Sequence, residues 1–334
     1  MSGIPADPFR ERNGKPLCWR TRVLGAPFEF ACDSRELLDL AREAFADVPA
    51  HRWPRDPGPM CRVVLRLSRA APRLRWAVPP VPVLSSGGGL LCAHADANNF
   101  AIVDPGNARA LVQVTGAMLQ HRRLLRYELI EFAVLTLGAR TQRLIPLHAA
   151  CLGLRGQGVL LLGDSGAGKS TLALHAALAG LEFLSEDSVF VQPVSLLATG
   201  LSAFVHARTG STALIADART REVARRSPRI HRRSGVEKLE IDLRGGIARL
   251  AQRPLEIRAT VVLTARPMRG APRMTKISAA HLRRVLHHEQ GYATRQPGWP
   301  LFERRLLRAG GYLLARSPPA DGVAALRALL GAAA

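Results

Sequence analysis

The residues most able to do chemistry form one unbroken run, Gly163-Asp164-Ser165-Gly166-Ala167-Gly168-Lys169-Ser170-Thr171, which has the spacing of a loop that cradles phosphate. Such a loop turns its backbone N–H groups inward around an anion, which requires conformations that a residue with a Cβ resists. Lys169 would reach the β- and γ-phosphates of a nucleoside triphosphate, and the Ser170 hydroxyl would ligate the Mg²⁺ that bridges them. The run lies between an apolar stretch, Val159 to Leu162, and a helix-like one, Leu172 to Leu178. That context predicts strand, loop and helix, with the helix N-terminus aimed at the anion. A glycine-rich turn that binds nothing is the alternative.

A second constellation follows in Phe183-Leu184-Ser185-Glu186-Asp187-Ser188-Val189-Phe190-Val191. Two adjacent acids inside an apolar run are costly to bury without partners. In a nucleotide site Glu186 and Asp187 would find them in Mg²⁺ and in the hydroxyl that attacks the γ-phosphate, which a carboxylate can orient and deprotonate. An exposed turn between two short strands is the competing reading. His148, 15 residues before Gly163, is on its own merits an ordinary structural histidine. His287-His288-Glu289 has neither metal-ligand spacing nor a third partner and reads as the polar end of a helix.

Taken in order, Leu147-His148-Ala149-Ala150, the loop from Gly158 to Ser170, and Leu184-Ser185-Glu186-Asp187 resemble the catalytic domain of the HPr kinase/phosphorylase family. The likeness is to its divergent branch, some of whose members phosphorylate a serine of a lasso peptide. It is specific from about Leu147 to Val191. The resemblance implies an α/β fold of the phosphoenolpyruvate-carboxykinase-like P-loop type, ATP and Mg²⁺ as cofactors, and His148 beside the acidic pair. It also implies Asp187 as the base for the acceptor hydroxyl, with Glu186 where the family usually has its first aspartate. Thr171 stands where the hexameric bacterial enzymes usually carry glutamate, and Leu243-Arg244-Gly245-Gly246 matches their arginine-glycine signature only loosely. Those departures count against HPr as substrate and against a phosphate-dependent reverse reaction. Ser234-Gly235-Val236-Glu237-Lys238 resembles the glycine-then-lysine element of the divergent branch, in which Lys238 would contact phosphate; a solvated lysine is the alternative.

The elements that must position these residues are partly legible. Short apolar runs punctuated by Pro and Gly (Cys61 to Leu67, Leu90 to Ala93, Phe100 to Val103) predict strands of a small mixed domain. A helix is expected from about Ser34 to Ala46, capped by Asp33 with Glu36 three residues on. Pro79 to Gly89 reads as a turn or connector, and a helix is expected over roughly Arg123 to Gly138. Ala149 to Leu154 and Val159 to Leu162 read as paired strands turning at Arg155-Gly156-Gln157-Gly158, with a doubly wound sheet returning the acids to the loop. At 334 residues two domains are expected: a mixed α+β accessory domain over 1–143 and an HPr-kinase-like catalytic domain over 144–334.

Composition narrows the function classes. The formal net charge is +21, yet nearly all of the positive charge is arginine in an alanine-rich chain, as a GC-rich genome produces. Nucleic acid is therefore not the expected partner. One cluster exceeds the background: Arg219, Arg221, Arg225, Arg226, Arg229, Arg232 and Arg233, with Glu222 as the only acid among them. It is either solvated charge or a dock for an acidic or phosphorylated substrate. No segment reaches the roughly 18 uncharged apolar residues of a membrane span, and Met1 to Asp7 lacks an apolar signal core, so a cytoplasmic protein is expected. Five widely spaced cysteines (Cys18, Cys32, Cys61, Cys92, Cys151) read as buried thiols.

The leading expectation is a transferase that moves the γ-phosphoryl of ATP onto a serine hydroxyl of an acceptor protein or peptide, with homo-oligomerisation left open. A small-molecule kinase differs only in the acceptor. A transporter-type ATPase needs a Leu-Ser-Gly-Gly-Gln-like signature after the loop, whereas Ser85-Ser86-Gly87-Gly88-Gly89 precedes it, and Thr260-Val261-Val262-Leu263-Thr264 ends in no acid. A nucleic-acid-binding protein with ATP as an allosteric ligand rests on net charge alone.

Overall fold

The computed structural model describes residues 16–54, 58–68, 79–201, 203–231, 236–267 and 274–332. They fall into two compact units, one within Met1–Thr21, Pro27–Ala44 and Met60–Leu137, the other within Arg22–Ala26, Phe45–Pro59 and Gly138–Ala334.

The first unit is built on a seven-stranded sheet of β1 (Leu17–Val23), β2 (Ala26–Cys32), β3 (Cys61–Ser68), β4 (Val83–Gly87), β5 (Leu90–His94), β6 (Phe100–Asp104) and β7 (Arg109–Thr115), in the order β1-β2-β3-β7-β6-β5-β4. β2, β3 and β7 run parallel; β4 to β7 form an antiparallel meander. Strand β3 shows why this sequence makes a sheet with one covered face: Cys61, Val63 and Leu65 are buried while Arg62, Val64 and Arg66 point outward, a period of two. Helix α1 (Arg35–Phe45) buries Leu37, Leu38, Leu40 and Ala41. Its cap differs from expectation. The Ser34 hydroxyl accepts the Leu37 N–H at 3.4 Å, while the Asp33 carboxylate accepts the Leu67 N–H at 3.0 Å and so serves β3 instead.

Two further departures belong to this unit. The Pro79 to Gly89 stretch contains strand β4, because Val83 and Leu84 pair with His94 and Ala93 and only Gly88-Gly89 turn. The expected single helix is composite: α2 (Gly116–Leu119), α3 (Arg122–Leu124), a π-helical segment (Leu125–Glu131) and α4 (Phe132–Thr141). The wider π turn accompanies a fully buried Arg126, which is ion-paired to Glu43 and to Glu131.

The second unit carries a nine-stranded sheet. Its members are β8 (Ile145–His148), β9 (Ala150–Leu154), β10 (Gln157–Leu162), β11 (Glu182–Ser185), β12 (Ser188–Val191), β13 (Leu197–Gly200), β17 (Leu255–Pro267), β18 (Met274–Ile277) and β19 (Gly311–Arg316). The order is β11-β9-β10-β17-β13-β12-β8, with β19 also paired to β17 and to β18. A separate three-stranded sheet joins β14 (Phe204–Ala207), β15 (Arg229–His231) and β16 (Glu237–Asp242). The β9–β10 hairpin turns through Arg155 and Gly156, both at positive φ, as a two-residue turn of matching twist requires.

β10 is buried on both faces, as the unbroken run Val159 to Leu162 demands. Helices α5 (Lys169–Leu178) and α10 (Pro319–Ala332) contribute Leu172, Leu174, Val323 and Leu326 to the core on one face. Helices α8 (Ala279–Glu289) and α9 (Trp299–Ala309) contribute Leu282, Leu286, Phe302 and Leu306 on the other. Two short helices, α6 (Thr209–Ala213) and α7 (Ala218–Arg226), precede β15. The architecture is mixed α/β. It is not the doubly wound parallel sheet expected to return the acids to the loop: β10–β17 and β17–β19 are parallel, whereas β9–β10, β9–β11, β12–β13 and β8–β12 are antiparallel.

Candidate nucleotide and phosphoryl-transfer site

The loop Gly163 to Gly168 leaves the end of β10 and enters α5 at Lys169. Gly163, at φ 140°, lies so close to β17 that a Cβ there would sit 2.6 Å from the Leu263 carbonyl oxygen. Only glycine fits that approach. Asp164, Ser165 and Gly166 form the exposed tip, and the Ala167 N–H closes the turn onto the Asp164 carbonyl at 3.1 Å. Gly168 is the left-handed N-cap of α5, and no side chain caps the helix. The N–H groups of the first turn, Lys169, Ser170 and Thr171 among them, are therefore left for an external acceptor such as a phosphate. Lys169 is only 8% exposed and its ammonium donates to the carbonyls of Gly163 and Asp164, so its charge stays at the loop. Ser170 is half-buried beside it. The Thr171 hydroxyl instead shares a 2.8 Å hydrogen bond with Ser211 of α6.

Glu186 and Asp187 form the turn between β11 and β12, and consecutive residues there send their carboxylates to different partners. Asp187 Oδ1 accepts from His148 Nδ1 at 2.9 Å, both side chains being accessible (31% and 58% exposed). The contact follows from register: Ser188 lies opposite His148 in the β8–β12 ladder. Glu186 is 4% exposed, and one of its oxygens accepts both the backbone N–H of His206, at 2.9 Å, and its Nδ1, at 2.8 Å. His206 Nε2 lies 3.7 Å from the buried Glu240 carboxylate. Oε2 of Glu186 is buried with no hydrogen-bond partner. The turn is packed against β13, where a Cβ on Gly200 would come within 2.8 Å of Ser185 Cβ.

The C-terminus of α8 reaches the same place. Glu289 Oε2 accepts the Gly163 N–H at 2.9 Å, so Glu289, read from sequence as a merely polar helix end, contacts the phosphate loop. Burial raises its carboxyl pKa above the ordinary value, opposed by the Gly163 N–H and by the charge of Lys169. The next residue, Gln290, is buried and forms two bonds with the backbone of His148: its Oε1 accepts the His148 N–H at 2.8 Å and its Nε2 donates to the His148 carbonyl at 3.0 Å. His148, Asp187, Glu289 and Gln290 line a cavity of about 220 Å³ walled by Leu147, Phe190 and Ala293, with Tyr292 at its rim.

Other candidate residues lie apart from this cavity. Among the arginines, Arg221 donates to the Ile215 and Ala216 carbonyls, Arg226 pairs with Glu222 and Arg229 with Glu237. Internal contacts thus occupy three of the cluster, while Arg232 and Arg233 lie outside the described residues, as do Ser234 and Gly235. Lys238 lies in β16 opposite Ile230. Arg244 clasps the Asp242 carboxylate and stacks on Phe204, a structural role. The cysteines form no disulfide; Cys32, Cys61 and Cys151 are buried, but Cys18 is exposed and Cys92 half-exposed, against the expectation of five buried thiols. No helix among the described residues is long and apolar enough to cross a membrane.

Sequence reasoning missed Glu289, Gln290, His206, Ser211 and Gly200. The only local signal was the histidine-glutamate cluster, which metal-ligand spacing had set aside. No protein-family model matches the chain, and no curated protein matches it in sequence. Among solved structures, the HPr(Ser) kinase/phosphatase from Coxiella burnetii is similar over 57% of this chain and 99% of its own, at 14% identity and a TM-score of 0.30. A likeness that weak adds nothing to what the site itself supports.

Proposed function

We propose that the chain is an ATP- and Mg²⁺-dependent kinase that transfers the γ-phosphoryl group to a serine hydroxyl of a protein or peptide, a ribosomal peptide of the lasso type being one candidate acceptor. The observation that carries the reading is one cavity wall shared by the His148–Asp187 pair and by Glu289, which binds the phosphate loop. The loop N–H groups, the uncapped start of α5 and Lys169 would bind the triphosphate. Ser170 and Asp187 would hold Mg²⁺ together with phosphate oxygens. Glu186, whose unpartnered Oε2 suits a cation, would complete the set. Among the described residues no three or more His, Cys, Asp or Glu side chains are grouped to hold a metal ion, so phosphate oxygens and water would have to supply most of the ligands. When bound, the ion neutralises charge on the transferred group.

Asp187, oriented by His148 Nδ1–H, accepts the proton of the acceptor hydroxyl as that oxygen bonds to the γ-phosphorus. The bond from the γ-phosphorus to its bridging oxygen breaks, and ADP leaves. The cavity size favours a second acceptor reading: about 220 Å³ would hold one side chain or a small hydroxyl compound. Incubation with γ-labelled ATP, a serine peptide library and a panel of small alcohols, read by mass spectrometry, tests both. ATP turnover without a phosphorylated product of either kind would refute the kinase assignment.

A further inference from the structure

Strand β8 ends the nine-stranded sheet, so the outward backbone groups of His148 have no neighbouring strand to bond. The Gln290 carboxamide supplies what a strand would, one acceptor and one donor, at 2.8 and 3.0 Å. It does so from a fully enclosed position, 3% exposed, at the end of α8, whose Leu282 and Leu286 are anchored in the core. The preceding residue, Glu289, holds the first N–H of the phosphate loop. Two consecutive residues at one helix end therefore bind two backbones that the sheet itself keeps apart, with β17, β13 and β12 lying between β10 and β8. One carries the imidazole that orients Asp187; the other begins the phosphate cradle.

We infer that the C-terminus of α8 is the gauge that sets the separation between the phosphate loop and the proton-accepting carboxylate, with Gln290 as its positioning residue. This rests on the kinase reading for its catalytic meaning, but its geometric content does not. Gln290 touches no reacting atom. It acts through the His148 backbone, then through the 2.9 Å contact from His148 Nδ1 to Asp187. Displacements near 1 Å in such a relay cost about 10²-fold in rate while leaving ground-state binding nearly alone.

The test compares the full-length protein with Gln290→Met, which preserves length and removes both hydrogen bonds. The expected result is a kcat lowered about 30- to 100-fold with the KM for ATP within about threefold. In addition, the ¹⁵N shift of His148 Nδ1 should move toward that of an unbonded ring nitrogen. A merely structural glutamine would lower the melting temperature and leave the Nδ1 signal of the folded fraction in place, and that outcome overturns the inference. So does an unchanged kcat in a folded variant. Should Gln290→Met fail to fold, Gln290→Asn, which withdraws the carboxamide by one methylene, carries the same expectations. The nitrogen shift is read without any acceptor, so a shift change in the variant together with no phosphate transfer by the wild-type protein refutes the kinase reading alone.

Discussion

Replacing Asp187 by asparagine separates the roles of base and scaffold. The amide is nearly isosteric, and its oxygen can still accept from His148 Nδ1 where the carboxylate does so at 2.9 Å. The side chain is 31% exposed, and an ion pair so accessible contributes no more than about 1 kcal/mol, so the melting temperature should fall by less than about 4 °C. MgATP affinity should change by less than about fivefold, again the equivalent of about 1 kcal/mol. Turnover should respond far more strongly, because loss of a positioned base costs about 10² to 10⁴ in kcat, or roughly 2.7 to 5.5 kcal/mol. Fluorescent-nucleotide titration, thermal unfolding and steady-state transfer to a serine peptide measure the three quantities on one preparation. Equal losses in nucleotide binding and kcat would make Asp187 chiefly a metal ligand, and no loss in either would remove it from the site.

Lys169→Ala should abolish transfer and weaken triphosphate binding at least tenfold, the scale of one charge-assisted hydrogen bond; near-normal ATP turnover by the folded variant would refute the loop assignment. Gly163→Ala places a Cβ 2.6 Å from the Leu263 carbonyl oxygen in a backbone held at φ 140°, so it should lose about 1 to 3 kcal/mol in denaturant unfolding, and an unshifted midpoint would show that the loop is not pinned against β17. His51 is buried, with its ring nitrogens bonded to the Thr199 hydroxyl and the Ala251 carbonyl, and burial lowers its pKa below 6.5. Its neutral form is thus favoured by folding: the stabilisation is complete above about pH 6.5 and declines as pH falls through that value toward the lower folded pKa. Unfolding free energy should drop over that window in the parent and less steeply in His51→Gln; parallel slopes would exclude His51 as the cause. Replacing Arg225, Arg226 and Arg229 by glutamine should raise the acceptor KM more than the ATP KM if the cluster docks substrate, whereas an unchanged acceptor KM assigns it to solvated charge and to the internal pairs with Glu222 and Glu237.

The sequence alone determined the features whose cause is local. The unbroken apolar run Val159 to Leu162 reads as a strand and the following glycine spacing as a tight turn into a helix, and the structure has both, with Lys169 and Ser170 opening the helix. Alternation along Cys61 to Leu67 likewise marks a half-covered strand. Tertiary structure decided everything that depends on residues far apart in the chain. Adjacent carboxylates read alike in sequence, but the β8–β12 register turns Asp187 to His148 while the approach of β14 claims Glu186 for His206. Whether Asp33 or Ser34 caps α1 depends on Leu67, 34 residues from Asp33. Glu289 and Gln290 become part of the site only because Leu282 and Leu286 seat α8 on the sheet face from which its end reaches both Gly163 and His148, more than a hundred residues away in the chain. Local spacing encodes backbone conformation, because φ and ψ answer to near neighbours; the partners of a side chain are fixed only when distant strands acquire a register.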